Sequence, residues 1–338
     1  MRRGIARRCG RIRMLRSCDT VEEQGRISRR TGDTFMSQTY YSLKDYLRSR
    51  FACDVRKLAL HAHPGCPHRR TPEDGCVFCN ESGFSDAGPH EKPVRDQIAE
   101  ALAAAHRRGF RGKFIAYFQT GTNTLGEPVS LESRWRAVLE FPDDIVGLSI
   151  ATRPDCLDDM HLGILDEIAR SRMVWVELGL QSAKDETLRL INRGHDFAAF
   201  ENAVLRIGRH PGIRSVAHII LGLPGETVED MRNTVGALNR LNVDGVKIHH
   251  LQVVAGTVLA NWYRHGRVRV FTEEEYADLL VTLIPLIDRK TVIHRLVGDI
   301  RTGLLIAPKW NRPKTRILQE VETRLRNAGL RQGLHAGR

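Results

Sequence analysis

The feature that most restricts the fold of this chain is a regular alternation of short apolar runs with stretches of helical periodicity. The apolar runs have the length of strands and fall at residues 55–61, 114–118, 145–151, 174–180, 215–221 and 245–251. The helical stretches between them lie near residues 94–108, 130–140, 157–170, 184–191, 197–208 and 227–241. Because the strand-like runs are continuous rather than alternating, they are typical of a parallel sheet covered by helices. The pattern therefore predicts an α/β fold of six β/α units.

Repeated β/α units form either a barrel or a doubly wound sheet. Six units are fewer than the eight of a closed TIM barrel. A doubly wound sheet is the general alternative, but no glycine-rich phosphate-binding segment follows the first apolar run.

Polar side chains gather where the predicted strands end. They are Gln119, Asn123, Arg153, Asp155, Glu177, Gln181 and Gln252. Ligands of parallel β/α folds bind at the carboxyl ends of the strands, which meet at one edge. Any one of these residues could serve a turn or a cap, but their shared position predicts a binding site.

Three cysteines follow the first predicted strand with the spacing Cys66-x9-Cys76-x2-Cys79. Pro67, Pro72 and Gly75 indicate that the segment is a loop. Three closely spaced thiols are typical of a metal or cluster site. A structural zinc ion or an electron-transfer cluster takes four protein ligands. Three thiolates on a [4Fe–4S] cluster leave one iron open, and that iron can bind the amino and carboxylate groups of S-adenosylmethionine (SAM). The alternative is a zinc site with His61, His63 or His68 as the fourth ligand.

At these residues the chain resembles the radical SAM superfamily, in which the usual spacing is C-x3-C-x2-C. The wider first gap is similar to that of the elongator catalytic subunit and a related bacterial subfamily. The resemblance implies a partial (β/α)6 TIM-like barrel and reductive cleavage of SAM to a 5′-deoxyadenosyl radical. It also implies that Phe78 lies near the adenine.

The resemblance extends over residues 56–257 and implies further SAM contacts. In the branch of the oxygen-independent coproporphyrinogen dehydrogenase, a segment matched by Gln119, Thr120 and Gly121 holds the SAM amino group. Gln181, Arg193 and Gly222 also match residues of that branch. Arg153 and Glu177 resemble the elongator subunit instead. The chain departs from the branch at Ala151 and His218, which stand where it has Glu and Asp.

Several of these residues have a plainer interpretation. Arg153 could form a salt bridge with Asp155 rather than contact SAM or the substrate. Glu177 ends an apolar strand, where an unpaired carboxylate is costly, and we expect a bound ligand rather than an ion pair. His218 and His249 are expected to be core histidines with satisfied hydrogen bonds. A thiolate at Cys156 would be stabilised by the start of a helix.

Charge is concentrated at the two ends of the chain. Residues 1–35 contain ten Arg against four acidic residues, and residues 312–338 contain seven Lys or Arg against two, within a formal net charge of +12. We expect residues 1–35 to be a disordered tail or the product of a start placed too early, because they have little apolar periodicity. The predicted division is a barrel domain over residues 36–257 and a C-terminal helical extension over residues 258–338.

The basic C-terminal segment suggests RNA as a possible substrate, with Trp310 stacking on a base. The alternative is an amphipathic helix packed on the barrel through Ile317, Leu318, Val321 and Leu325. An RNA-binding module without radical chemistry is the alternative for the whole chain.

The seven cysteines show no disulfide framework, which favours a reducing compartment, the cytoplasm. No apolar run is long enough for a membrane span, so no membrane partner is expected. Radical chemistry of this kind needs an external electron donor such as flavodoxin or ferredoxin.

Overall fold

The structure is a computed structural model that describes residues 39–61, 65–69, 71, 74–80, 92–119, 121–298, 300 and 303–337. The predicted tail over residues 1–35 lies outside the described residues, as do His63 and Thr120.

Nine strands are present in the described part of the chain. They are β1 (Val55–Leu60), β2 (Lys113–Phe118), β3 (Ile145–Thr152), β4 (Met173–Gln181), β5 (Ile213–Leu221), β6 (Gly245–His250), β7 (Val253–Val254), β8 (Val292–Arg295) and β9 (Leu305–Ala307). The first six agree with the predicted strands to within two residues at each end.

The α-helices of the described residues lie largely between these strands. They are α1 (Leu43–Phe51), α2 (Val94–Arg107), α3 (Pro128–Arg136), α4 (Asp159–Ala169), α5 (Asp185–Leu190), α6 (Phe197–Ile207), α7 (Val228–Arg240), α8 (Val258–Arg264), α9 (Glu273–Leu283) and α10 (Lys314–Asn327). Helix α9 begins with a capping box in which Thr272 and Glu275 each bond the other's backbone.

Seven strands form one parallel sheet in the order β1-β2-β3-β4-β5-β6-β8. Because β1 and β8 are the two edges of this sheet, the barrel is open, and the predicted partial TIM-like fold is confirmed. The main core contains side chains of the strands and of the helices that cover them, among them Ile150, Val176 and Ile219 on the sheet. Burial of apolar side chains on both faces explains why these strands are continuous apolar runs.

The C-terminal extension contributes a strand as well as helices. Strand β8 pairs with β6, and the backbone N–H of Ile293 donates to the carbonyl of Tyr41 at 2.9 Å. The extension therefore completes the sheet, which was expected to end with six strands. None of the described helices is long and apolar enough to cross a lipid bilayer.

Candidate active site

A cavity of about 270 Å³ lies at the carboxyl ends of the parallel strands. Its wall contains most of the residues predicted for the site, namely Cys66, Cys76, Cys79, Phe78, Gln119, Gly121, Arg153, Glu177, Gln181 and Arg193. Two predicted residues are exceptions. Thr120 lies outside the described residues, and Gly222 is absent from the described wall. The fold thus brings the cysteine loop and the polar strand ends to one place.

The cysteine loop is held on two sides by backbone hydrogen bonds. The N–H of Val77 donates to the carbonyl of Ile191 at 3.0 Å, and the carbonyl of Val77 accepts from the N–H of Leu259 at 2.8 Å. The side chain of Asn192 donates to the carbonyl of Gly75 at 2.8 Å. The loop is therefore fixed between the turn after α5 and the beginning of α8.

Two of the three histidines considered as a fourth zinc ligand lie among the described residues. His68 Nε2 lies 2.7 Å from the carbonyl oxygen of Asn192, and the backbone of His61 is bonded by the Gln97 side chain. Within the described part of the chain, no three His, Cys, Asp or Glu side chains are grouped as ligands of a single metal ion. A [4Fe–4S] cluster needs no such convergence, because each thiolate binds a different iron.

Two guanidinium groups lie beside cysteine sulfurs. Arg193 Nη1 is 3.5 Å from Cys76 Sγ, and Arg69 Nη1 is 3.9 Å from Cys79 Sγ. None of the three cysteines of the loop forms a disulfide within the described part of the chain. Hydrogen-bond donors near cluster-ligating sulfurs stabilise the negative charge of the thiolates. The donor set therefore fits an iron–sulfur cluster.

At the end of β4, the side-chain amide of Gln181 lines the cavity. A bulge between Gly179 and Gln181 interrupts the pairing with β5, and Gln181 has a φ of 76°. Arg193 donates twice to the carbonyl of Gly179, at 2.6 and 3.2 Å. A Cβ at Gly179 would lie 2.7 Å from Arg193 Nη2, so this close approach requires glycine. Gln181 Oε1 is buried without a partner among the described residues, and a ligand could supply the missing donor.

Arg153 forms the salt bridge that was considered as the plainer alternative. Its Nε and Nη2 donate to the two carboxylate oxygens of Asp155 at 3.0 and 2.8 Å, and its Nη1 donates to the carbonyl of Arg193 at 3.0 Å. Burial alone would raise the pKa of Asp155, but the Arg153 guanidinium lowers it below its ordinary value. Arg153 therefore holds the end of β3 against the turn that contains Arg193.

Two lysines neutralise the Glu177 carboxylate, so the ion pair that was the alternative to a bound ligand is present. Lys57 Nζ lies 2.6 Å from Oε1, Lys247 forms an ion pair with Oε2, and the Ser149 hydroxyl donates at 2.6 Å. Burial opposes the charge, but the ammonium groups of Lys247 and Lys57 hold the pKa of Glu177 well below its ordinary value. Lys247 also donates to the Tyr117 hydroxyl at 2.7 Å.

These lysines were missed in the sequence, although a signal was present. Lys57 and Lys247 each stand inside an apolar strand, where a buried ammonium needs a partner. The carboxylate of Glu177 on a third strand was the available counter-ion. Arg69 and Arg295, which also line the cavity, carried no comparable signal.

The two histidines expected to be satisfied core residues line the cavity instead. The rings of His218 and His249 meet edge to face with centroids 4.2 Å apart, and each Nε2 is buried without a hydrogen-bond partner among the described residues. Burial, with the charge of Lys247, lowers the pKa of His218 to about 3. Burial and His218 lower the pKa of His249 as well. Both imidazoles are therefore neutral at physiological pH.

Two further residues singled out in the sequence have structural surroundings of their own. Burial and the Asp155 charge raise the pKa of Cys156 to about 11, so a stabilised thiolate does not form there. Gly222 has a φ of 86°, and a Cβ there would lie 2.6 Å from the ring of Phe271. Its role is close packing against that ring, where a side chain would be both strained and obstructed.

Two family models match the chain. Residues 61–238 match the radical SAM superfamily, and residues 243–327 match the radical SAM C-terminal domain. The chain belongs to the radical SAM superfamily. The cofactors of this superfamily are a [4Fe–4S] cluster and SAM. The chain is therefore an enzyme that cleaves SAM to begin radical chemistry. The alternative of an RNA-binding module without catalysis is thereby excluded.

Three relatives illustrate the similarity. The uncharacterised protein YtqA of Bacillus subtilis is 37% identical over 297 residues, which cover 87% of this chain and 92% of YtqA. A tRNA uridine(34) acetyltransferase of Dehalococcoides mccartyi is 28% identical over 53% of this chain and 39% of its own length. The solved structure of Elp3 from Methanocaldococcus infernus has a TM-score of 0.63 at 19% identity, over 82% of this chain and 64% of that one. The Elp3 structure supports the fold, and this chain spans less than two thirds of it.

Proposed function

We propose that Cys66, Cys76 and Cys79 bind a [4Fe–4S] cluster whose fourth iron is open to SAM. The observation that carries this proposal is the meeting of three cysteine side chains with an unpartnered acceptor, Gln181 Oε1, on the wall of one cavity. When bound, the cluster supplies one electron at an open coordination site, which is the chemistry that releases a 5′-deoxyadenosyl radical from SAM.

The remaining residues of the cavity have distinct roles in this proposal. The segment of Gln119, Thr120 and Gly121 holds the amino group of SAM, and Phe78 lies beside the adenine. Gln181 accepts a hydrogen bond from SAM. Arg193 supports Cys76 and the end of β4 at the same time.

Arg153 and Glu177 act less directly than the sequence suggested. Arg153 orients the turn that carries Arg193, while its own charge is neutralised by Asp155. Glu177 neutralises the lysines below the cavity. Gly222 supports the site only through its packing on Phe271.

The cluster assignment is tested by metal analysis of anaerobically reconstituted protein. We expect about four iron and four sulfide per chain. Replacing any one of Cys66, Cys76 and Cys79 by Ala should remove the cluster. The matched controls Cys53→Ala and Cys156→Ala should keep it, since both thiols lie outside the described wall of the cavity. Stoichiometric zinc without sulfide would contradict the proposal.

The catalytic assignment is tested by the formation of 5′-deoxyadenosine from SAM with dithionite as the reductant. In the cell an external donor such as flavodoxin or ferredoxin would take that place, in a reducing compartment that we propose to be the cytoplasm. A reconstituted cluster that never cleaves SAM under these conditions would refute this part of the proposal.

RNA as the substrate is supported by the name of the acetyltransferase relative rather than by the basic C-terminal segment. Arg312 pairs with Glu273 and Glu320, and Arg324 pairs with Asp278 and Glu320. The expected packing alternative is present, since Ile317, Val321 and Leu325 are buried in the core. Trp310 stacks on His250 with ring centroids 4.1 Å apart and is not free to stack on a base.

A tRNA-binding measurement at two salt concentrations tests the RNA proposal. Binding through phosphates must weaken steeply as salt rises, because counterions are released. If α10 contributes, Arg324→Ala and Arg326→Ala should weaken binding. No binding at low salt would remove RNA as the substrate, and binding unchanged by both variants would exclude α10.

A further inference from the structure

The cavity is lined by one arginine whose side chain has no hydrogen-bond or ion-pair partner among the described residues. Four arginines line it, and three have partners: Arg153 pairs with Asp155, while Arg69 and Arg193 lie beside cysteine sulfurs. The side chain of Arg295, at the end of β8, forms no hydrogen bond or ion pair within the described part of the chain. The Arg295 side chain is half-buried at the cavity wall, where its guanidinium can meet an anionic ligand with paired N–H groups.

The surroundings of Arg295 add to this positive charge. Arg295 is the register partner of Lys247 on β6, so the two side chains leave neighbouring strands side by side. Glu177 is the single carboxylate among the described residues that line the cavity, and it already faces both Lys57 and Lys247. Arg295 therefore adds a cation to a wall whose one described carboxylate is already paired.

Two neutral histidines stand beside this excess of charge. His218 and His249 line the cavity, and their Nε2 atoms have no hydrogen-bond partner among the described residues. Burial, with Lys57 and Arg295 nearby, lowers the pKa of Lys247 to about 7 in spite of Glu177. An anion bound next to Arg295 would offset this repulsion and give the imidazoles a partner.

We propose that Arg295, together with His218 and His249, forms a second subsite that binds an oxyanion of the substrate, a carboxylate or a phosphate. The planar guanidinium suits both, because its N–H groups form paired hydrogen bonds with two oxygens of one anion. The carboxylate of SAM is accounted for at the open iron of the cluster, so the anion belongs to a second molecule. The inference rests on the proposed function for its assignment of SAM to the cluster side of the cavity.

The subsite is tested on anaerobically reconstituted full-length holoenzyme by thermal unfolding. Sodium phosphate and sodium acetate are each compared with sodium chloride at equal ionic strength. A ligand that binds only the folded state raises the melting temperature, and the rise grows with the logarithm of one plus the ratio of ligand concentration to Kd. We expect a rise with phosphate, with acetate or with both, and the effective anion identifies the class of substrate.

The Arg295→Gln variant should lose roughly half or more of this rise in melting temperature. Arg295→Lys keeps the positive charge but not the paired N–H groups of the guanidinium, and it should lose less of the rise. Arg232→Gln, a change at an exposed arginine of α7, is the matched control and should behave as wild type. An equal rise in wild type and Arg295→Gln, or no rise in wild type with either anion, would overturn the proposal. Arg295→Lys keeps the test valid if the Gln variant does not fold.

The affinity for SAM separates this subsite from the cofactor site. We expect Arg295→Gln to bind SAM within about threefold of wild type, since a lost charged hydrogen bond would cost about tenfold or more. A loss of that size would assign Arg295 to SAM and overturn the inference. Failure of wild type to form 5′-deoxyadenosine would instead refute the proposed function and leave the anion measurement standing.

Discussion

Replacement of Glu177 by Gln should destabilise the folded chain strongly. The Glu177 and Lys247 side chains are 3% and 6% exposed, and Lys57 completes the group on the other carboxylate oxygen. Gln preserves the shape and can still accept from Ser149, but it removes the carboxylate that stabilises both ammonium groups. Lys247 must then either stay charged without that partner or give up its proton on folding. Breaking a buried ion pair in this way costs about 3–5 kcal/mol of unfolding free energy.

The ion-pair group has one carboxylate and two lysines, so removal of the carboxylate can be compared with removal of one lysine. Lys247→Met leaves Glu177 with Lys57 and the Ser149 hydroxyl, so its loss should be smaller, about 1–3 kcal/mol. Glu132→Gln removes the partner of Arg136 in an exposed pair and should cost less than about 1 kcal/mol. The loss of unfolding free energy should therefore be largest for Glu177→Gln, smaller for Lys247→Met and smallest for Glu132→Gln.

Urea unfolding of the reduced apoprotein, followed by circular dichroism, measures these differences. The reasoning is refuted if Glu177→Gln lies within about 1 kcal/mol of wild type, or if Lys247→Met is the more damaging change. Either result would mean that the lysines lose their charge on folding rather than depend on the carboxylate.

Three further predictions concern the site and its surroundings. Gln181→Ala should weaken SAM binding about tenfold in calorimetry and leave the iron content intact, whereas Arg193→Ala should lower both, because Arg193 also supports Cys76. Burial raises the pKa of Glu226 from 4.5 to about 7, so the stability supplied by its protonated form is complete below about pH 4.5 and is lost as the pH rises to 7. Glu226→Gln should therefore stabilise the chain at pH 8 by up to about 3 kcal/mol and have little effect at pH 4, which unfolding at the two pH values would check. Removal of residues 1–35 should leave iron content and SAM cleavage unchanged, since their composition cannot form a core, and loss of the cluster would contradict this.

The sequence predicted the first six strands because each is an apolar run long enough to be recognised locally. Strand β8 was missed because it has four residues and two of them, His294 and Arg295, are only half-buried. Its place is determined by pairing with β6, a long-range contact that leaves no local pattern. The same holds for the antiparallel pair of β7 and β9.

The composition of the site was more predictable than its internal contacts. Residues at strand ends must gather at one edge, so Gln119, Arg153 and Gln181 could be placed without coordinates. Which charges neutralise each other depends on side-chain directions across several strands. The sequence therefore found Glu177 but assigned it a ligand where the fold provides Lys57 and Lys247.

The attachment of the cysteine loop has a consequence for the order of events during biosynthesis. Asn80 donates to the carbonyl of Ala255 at 2.7 Å, across 175 residues of sequence, and Leu259 bonds Val77 from the same region. A nascent chain that has delivered the cysteines still lacks these anchors until the end of the barrel has been translated. The loop can therefore take its final conformation only after residues 255–259 have been translated, and iron–sulfur transfer from an assembly scaffold would follow that step.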